Sequence, residues 1–266
     1  MDTMQAMLLA VLQGVTEFLP ISSSAHLVIP SLVLGWQDQG LSFDVAVHVG
    51  TLLAVVLYYR RELLDMAASC FGLLRGQAAN DDISLVLYLA VATVPVCVVG
   101  FVADGFIESQ LRTLPVIATT TLVFGLLLGL ADRRAQRASS FVTLTLFAAL
   151  VIGLAQALAP VPGVSRSGIT LTAGLLLGLN RATAARFTFL LSIPVIAGAG
   201  LLKGMQLVQA SVAVDWVLLV SAALLAAVTA YACIALFLRL LERFGLMPFV
   251  YYRIALAAVL YALWLV

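Results

Sequence analysis

The chain has 266 residues, of which 63% are hydrophobic and only 10% are charged. A soluble domain divides its residues more evenly between apolar and polar types, so this composition excludes an ordinary soluble fold and indicates a membrane protein. The formal net charge of +1 provides no basic field that could hold nucleic acid. We therefore predict that the partner of this chain is a membrane and that nucleic acid is not a partner.

Six apolar segments are long enough to cross a bilayer as helices, which takes about 20 residues. They are Phe43 to Tyr59, Ser84 to Phe106, Leu114 to Ala131, Phe187 to Leu202, Trp216 to Leu238 and Pro248 to Val266. Two further apolar regions, Met4 to Leu34 and Phe141 to Leu179, are interrupted by FLPISSSAH (18–26) and APVPGVSRSG (159–168). Because proline ends a helix and clustered serine and glycine favour turns, each region predicts a re-entrant helical hairpin.

The two halves of the chain resemble each other in their spacing. Gln13 and Gln156 lie 143 residues apart, as do Leu34-Gly35 and Leu177-Gly178, whereas Pro20 and Pro162, and Ser23 and Ser165, lie 142 apart. One hairpin and three spans in each half would place the halves in opposite orientations, because three is odd. We predict a single membrane domain (1–266) that is an all-α polytopic inverted-topology repeat, with halves 1–140 and 141–266.

Basic residues in short loops predict the orientation, because they accumulate on the cytoplasmic side. This topology places ten arginines on one side: Arg60, Arg61, Arg75, Arg133, Arg134, Arg137, Arg181, Arg186, Arg239 and Arg243. Arg112 and Lys203 fall on the other side. We predict that the first side is cytoplasmic, that both termini lie outside, and that the two hairpin tips meet near the membrane midplane.

Glu17 and Arg166 are the ionisable residues of the two interruptions. Each costs about 2.5 to 3.5 kcal/mol at membrane depth on insertion scales, so each needs a partner or a function. Glu17 follows Gln13 by four residues, which places both side chains on one helix face. Their oxygens suit a hard divalent cation, Mg²⁺ or Ca²⁺. The alternative is a carboxylate that only pairs with Arg166, and the two roles are compatible.

The segment PGVSRSG predicts an anion site at the point where a helix restarts. Backbone N–H groups and two hydroxyls lie there beside a guanidinium, in Gly163, Ser165, Arg166, Ser167 and Gly168. The planar fork of arginine and the N-terminus of a helix both favour phosphate oxygens. A packing turn rich in serine and glycine is the alternative, but it leaves the arginine unexplained.

Three further polar residues lie near these interruptions or within a span. The segment SSSAH places His26 three residues after Ser23, a spacing that allows proton transfer between hydroxyl and imidazole once the chain is folded. Thr170 follows Ser167 by about one turn and is suited equally to capping the helix or to binding phosphate. His48 lies in an apolar run and is interpreted as a hydrogen-bond donor between helices.

These motifs resemble those of the undecaprenyl pyrophosphate phosphatase family, whose members confer bacitracin resistance. QGVTEFLPISSSAH is similar to the first motif of the family and PGVSRSGIT to the second, and the likeness covers essentially the whole chain. The resemblance implies an integral enzyme of the bacterial inner membrane, with its active site on the periplasmic or outer side. Such an enzyme converts the C55 polyprenyl pyrophosphate to the monophosphate with a divalent cation and so recycles the carrier of cell-wall sugar units.

By motif position, the resemblance implies that Glu17, Ser23, His26 and Arg166 are catalytic. Gln13 departs from the commoner form of the motif, in which this position is also glutamate, so Glu17 must carry more of the charge on a metal. The sequence leaves open whether Ser23, His26 or an activated water attacks the phosphorus, and whether the protein is a homodimer. A lipid flippase or secondary transporter is the alternative function, because many transporters share the inverted-repeat plan.

Overall fold

A computed structural model describes residues 2–37, 40–137, 142–209 and 215–265. All regular structure within these ranges is helical. The α-helices are α1 (Thr3–Thr16), α2 (Ser23–Leu34), α3 (Gly40–Tyr58), α4 (Arg60–Leu74), α5 (Asp81–Phe106), α6 (Leu114–Arg137), α7 (Leu146–Gln156), α8 (Arg166–Leu176), α9 (Arg181–Gln209), α10 (Trp216–Phe244) and α11 (Met247–Leu265). A π-helical turn, Ile107–Leu111, extends α5.

Six helices are long and apolar enough to cross a membrane, namely α3, α5, α6, α9, α10 and α11. Each coincides with one of the six predicted spans, which are confirmed. Three of them are longer than predicted at an end that carries arginine: α6 continues to Arg137, α9 begins at Arg181 and α10 continues to Phe244. The protein is therefore a multi-pass, all-helical membrane protein in the part of the chain that the structure describes.

Each of the two interrupted apolar regions forms two short helices separated by a break. The first break lies between α1 and α2, and the second lies between α7 and α8. Both breaks are shorter than the sequence predicted, because Ser23–His26 form the first turn of α2 and Arg166–Gly168 form the first turn of α8. Ser22 and Ser165 immediately precede these helices, and both have a left-handed φ, of 74° and 71°. The backbone equivalent of Ser165 is therefore Ser22, at a separation of 143, rather than Ser23.

The long helices surround the two breaks in corresponding ways. Helix α1 packs against α10, and α7 packs against α5. Helix α3 contacts α10 and α9, while α5 also contacts α9, and α6 contacts both α8 and α11. The side chain of Phe18, from the first break, is fully buried and lies edge-to-face against Phe189 of α9, with ring centroids 5.4 Å apart. Short helices from one part of the chain are thus enclosed by long helices from the other.

Helix α4 was not predicted from the sequence. It directly follows α3 and begins with the charged residues Arg60, Arg61 and Glu62, which interrupt the apolar run. Its large apolar side chains include Leu64 and Phe71, of which about two thirds is exposed. A short amphipathic helix of this kind is hidden from a search that looks only for spans of about 20 apolar residues.

The contact between α3 and α10 depends on a glycine, and replacing it should destabilise the protein. A Cβ added at Gly50 would lie 2.1 Å from the carbonyl oxygen of Ala223 in α10, so the helices would have to separate. We expect Gly50→Ala to cost about 1–3 kcal/mol, as overpacked cores do. The measurement is thermal unfolding of the detergent-purified protein. Gly100→Ala is the matched control, because a Cβ there meets nothing within 4 Å. Equal melting temperatures for the two variants would contradict this account of the contact.

Candidate active site at the two helix breaks

The two breaks meet at a carboxylate and a guanidinium. Nη2 of Arg166 donates to Oε1 of Glu17 at 2.8 Å, and both side chains are largely buried. Glu17 immediately follows the last residue of α1, and Arg166 is the first residue of α8. The pairing of Glu17 with Arg166, which the sequence analysis gave as the alternative to a metal-binding role for Glu17, is present. A buried ion pair needs further hydrogen bonds to offset its desolvation.

Three polar side chains surround the second carboxylate oxygen of Glu17, Oε2. Oε2 accepts a hydrogen bond from Oγ of Ser23 at 2.6 Å and another from Nε2 of Gln13 at 2.9 Å. Nε2 of His48 lies 3.8 Å from the same oxygen. Gln13 and Glu17 therefore share one face of the first half-helix, as predicted. His48, which the sequence interpretation placed in a helix contact, lies beside the carboxylate instead.

Two buried polar atoms next to Glu17 have no hydrogen-bond partner. They are Nη1 of Arg166 and Oε1 of Gln13. Unsatisfied buried polar groups are uncommon in native proteins, and each requires an explanation such as a missing ligand or ion. An unpaired guanidinium N–H favours an anion, and an unpaired amide oxygen favours a cation. The site thus has one open position of each kind.

Two of the backbone N–H groups that the sequence predicted to be free for phosphate, those of Gly163 and Gly168, are engaged within the protein. The N–H of Gly168 donates to Oγ of Ser165 at 3.1 Å, which caps α8. The N–H of Gly163 donates to Oγ of Ser22 at 3.1 Å and so links the two breaks. These contacts fix the conformation of the second break.

The remaining predicted phosphate-binding hydroxyls also have partners. Oγ of Ser167 donates to the carbonyl of Leu19 in the first break at 2.8 Å. Oγ1 of Thr170 bonds to the carbonyl of Arg166 at 2.9 Å and accepts from Thr188 at 3.0 Å. A role for these two residues in binding phosphate remains a prediction.

His26 faces α11 rather than Ser23. Its Nδ1 lies 2.7 Å from the carbonyl oxygen of Ser22 and therefore carries a proton, because a carbonyl can only accept. Its Nε2 lies 2.6 Å from the hydroxyl of Tyr252, and the two rings are stacked. The hydroxyl of Ser23 donates to Glu17 instead. No hydrogen bond therefore joins Ser23 to His26 in this arrangement, although the sequence suggested proton transfer between them.

Comparison with known proteins identifies the relatives of this chain. The model of the bacitracin resistance protein BacA family matches residues 6–259. The chain is 56% identical over 260 residues to a protein of Alcanivorax borkumensis named undecaprenyl-diphosphatase, covering 98% of both chains. It is 53% identical to the protein of the same name from Alteromonas mediterranea, covering 100% of this chain and 99% of the relative.

The chain belongs to the BacA family. The resemblance drawn from its two motifs is thereby confirmed. The match includes both helix breaks and the start of α11, so the residues that meet around Glu17 all lie within the part that the BacA family model covers.

The oxygen donors around Glu17 fit a hard divalent cation in type. No group of three or more His, Cys, Asp and Glu side chains suited to a metal occurs in the described ranges. The carboxylate of Glu17 and the unpaired amide oxygen of Gln13 are nevertheless oxygen donors, as Mg²⁺ and Ca²⁺ require. Mg²⁺ in particular binds through one or two carboxylates together with phosphate oxygens and waters. This sparse set of ligands in a BacA protein therefore fits a cation whose coordination is completed by its substrate.

Arg253 is the residue of this site that sequence reasoning missed. Its side chain is fully buried in α11 and donates to carbonyls of both breaks: to Pro20 at 3.1 Å, to Gly163 at 2.7 Å and to Val164 at 3.2 Å. It also reaches the carbonyl of Thr121 in α6 at 3.1 Å. The signal was available, because a charge inside an apolar span has the same cost that drew attention to Glu17 and Arg166.

Ser22 was also missed. It is 2% exposed, its hydroxyl accepts from the second break, and its carbonyl accepts from His26. The repeat could have revealed it, because Ser22 and Ser165 share the separation of 143 that relates Gln13 to Gln156.

Removing the guanidinium of Arg253 should destabilise the protein strongly. Arg253→Leu leaves carbonyls of both breaks without donors, at about 1–3 kcal/mol for each buried group, so we expect a loss of at least about 3 kcal/mol. Unfolding in detergent, followed by tryptophan fluorescence, measures this loss. Arg243→Leu is the control, because Arg243 is exposed near the end of α10. If the two variants unfold at the same denaturant concentration, Arg253 does not hold the breaks.

Proposed function

We propose that this protein is an undecaprenyl-diphosphatase that hydrolyses undecaprenyl pyrophosphate to undecaprenyl phosphate and inorganic phosphate. Membership of the BacA family and the names of relatives that match over nearly the whole chain support this assignment. The observation that carries it is the buried pair of Glu17 and Arg166, with an unpaired guanidinium nitrogen beside it. The reaction recycles the lipid carrier of cell-wall synthesis and so confers bacitracin resistance.

In this proposal the guanidinium of Arg166 binds the pyrophosphate. Its Nη1 is buried and unpaired, while Nη2 is held by Glu17, so the fork is fixed before the substrate arrives. Phosphoryl transfer depends mainly on positioning and on stabilising charge at the phosphoryl oxygens. The predicted phosphate-binding residues around the guanidinium are Gly163, Ser165, Ser167, Gly168 and Thr170.

A divalent cation, Mg²⁺ or Ca²⁺, completes the proposed site. Glu17 and Gln13 would hold it, and it would neutralise negative charge on the phosphoryl oxygens. The net charge of the site supports this assignment. Glu17 and Arg166 cancel each other, which leaves Arg253 as the remaining charge near the breaks, so without a cation most of the negative charge of the pyrophosphate would be uncompensated.

Ser23 is the proposed nucleophile and Glu17 its base. The hydroxyl already donates to the carboxylate at 2.6 Å, which is the contact expected of an activated serine. Oγ of Ser23 forms a bond to the terminal phosphorus, the bridging P–O bond breaks, and undecaprenyl phosphate leaves, while the hydroxyl proton passes to Glu17. Water then hydrolyses the phosphoserine, and phosphate is released. We assign the activation of this water to His26, whose Nε2 would exchange its hydrogen bond with the Tyr252 hydroxyl for one with the water.

We also propose that the fold is an inverted-topology repeat in which α1–α2 and α7–α8 are re-entrant hairpins. Equivalent backbone features at one separation support it: Ser22 and Ser165 share a left-handed φ, as do Gly35 and Gly178. The matched packing of α1 against α10 and of α7 against α5 is the second support. The proposed boundary between the halves, at residues 140 and 141, lies outside the described residues.

The proposed location is the bacterial inner membrane, with both termini and the site mouth on the outer side. Contacts gather arginine-rich helix ends at one end of the molecule: Arg181 bonds to Asp132 at 2.7 Å, and Arg186 pairs with Glu62. Lys203 pairs with Asp104 at 2.6 Å at the opposite ends of α9 and α5. The accumulation of arginine favours a cytoplasmic position for the first end. The side chain of Arg137 lies outside the described residues.

Phosphate release by detergent-purified protein tests the function directly. With undecaprenyl or farnesyl pyrophosphate, we expect release that EDTA abolishes, and a loss of about 100- to 1000-fold in kcat/KM for Arg166→Ala. Glu17→Ala should lower kcat/KM at least as much, because it removes both the proposed base and the main cation ligand.

Arg243→Ala is the control for the loss of an arginine, and thermal unfolding checks that each variant is folded. A folded wild-type protein that releases no phosphate but moves the lipid across a vesicle membrane would replace the hydrolase with the transporter alternative. The close relatives of nearly equal length do not favour that alternative, since they bear the name of a hydrolase.

Trapping the intermediate distinguishes the three candidate nucleophiles. After rapid acid quenching of a reaction with substrate labelled on the terminal phosphate, we expect label on Ser23, because phosphoserine is stable in acid. Ser23→Ala should carry no label. Label on His26 under alkaline quenching would assign attack to the imidazole, and unlabelled protein under both conditions would assign it to water.

A further inference from the structure

Two histidines occur in the chain, and His48 has no role in the function proposed above. It lies in the middle of α3, and about a third of its side chain is exposed. Its Nε2 faces Oε2 of Glu17 at 3.8 Å, which is too far for a hydrogen bond. His48 thus lies directly beside the carboxylate oxygen that the proposed cation would bind.

The ring orientation of His48 is fixed by its other nitrogen. Nδ1 lies 2.7 Å from the backbone carbonyl oxygen of Asp44, one turn earlier in α3. A carbonyl can only accept, so Nδ1 carries the proton and Nε2 of the neutral ring presents a lone pair to the site. A histidine that ligates a metal almost always donates its second ring N–H in this way, which sets its tautomer and its direction.

Two atoms with lone pairs therefore face each other. They are Nε2 of His48 and Oε2 of Glu17, which lie 3.8 Å apart. A lone pair and a carboxylate oxygen at this distance repel unless a positive charge lies between them. Gln13 donates to the same carboxylate oxygen through its amide nitrogen, and its buried amide oxygen has no partner.

We propose that His48 is a third protein ligand of the divalent cation, together with Glu17 and Gln13. This inference rests on the proposed function for the identity of the site, and it adds a nitrogen donor to the two oxygens. The neutral imidazole adds a donor atom but no charge, so Glu17 carries all the negative charge of these three ligands. Because imidazole suits transition metals better than Ca²⁺, such a site should prefer Mn²⁺ to Ca²⁺.

Pulsed electron paramagnetic resonance with Mn²⁺ tests the ligand directly. The full-length protein, with its affinity tag removed, is stripped with EDTA and loaded with less than one equivalent of Mn²⁺. We expect ¹⁴N modulation from a coordinated imidazole in the wild type and its loss in His48→Gln, with at least about tenfold weaker Mn²⁺ binding. His26→Gln is the matched control and should retain the modulation, because both ring nitrogens of His26 are engaged elsewhere.

The experiment tests the ligand role of His48 separately from the proposed hydrolysis. Absence of ¹⁴N modulation in the wild type, or its persistence in His48→Gln, overturns the assignment. A protonated imidazole that merely pairs with Glu17 gives the first of these results. Phosphate release is measured on the same preparation, so that hydrolysis without modulation refutes the ligand alone, and modulation without hydrolysis refutes the proposed function alone. His48→Ala and thermal unfolding exclude a fold defect peculiar to one variant.

Discussion

A helix that breaks inside a membrane leaves backbone carbonyls without partners, and lipid cannot supply the missing donors. This protein breaks two helices and satisfies carbonyls of both with one side chain, the fully buried Arg253. A guanidinium has five N–H donors in a rigid plane, so a single residue can bond to two loops and fix their relative position. The loops carry Glu17 and Arg166, and the geometry of that pair therefore depends on a residue of the last helix.

Serine hydroxyls offset backbone strain at the two breaks. A left-handed φ at a residue other than glycine costs about 1–3 kcal/mol, and such strain tends to cluster at functional sites. Ser22 and Ser165 both adopt it, and the hydroxyl of each accepts a backbone N–H, from Gly163 and Gly168. Glycine would relieve the strain at either position but would lose the hydrogen bond. Serine therefore meets two demands at the points where α2 and α8 begin.

The ion pair at the centre is better explained by function than by stability. A buried pair often contributes little to stability, because desolvation cancels much of the attraction between the charges. Glu17 and Arg166 neutralise each other, yet each adjoins an open atom: Nη1 of the guanidinium itself, and the amide oxygen of Gln13. One position favours an anion and the other a cation. In the proposed function, a pyrophosphate and its divalent cation would occupy these two positions, and the charge of each would partly offset the charge of the other.

Composition and pattern were enough to assign the membrane class, the six spans and the need of Glu17 and Arg166 for a partner or a function, because long apolar runs and isolated charges have few stable arrangements in lipid. The sequence could not determine which residues of distant helices face that pair. His48 in α3, and Tyr252 and Arg253 in α11, lie in apolar runs whose patterns do not distinguish the face that meets the site. The partner of Ser23 was likewise decided only by the fold, which turns His26 toward Tyr252 and leaves the hydroxyl to Glu17. The physical reason is that local patterns record the cost of burial, whereas contacts between segments far apart in the chain depend on how whole helices pack.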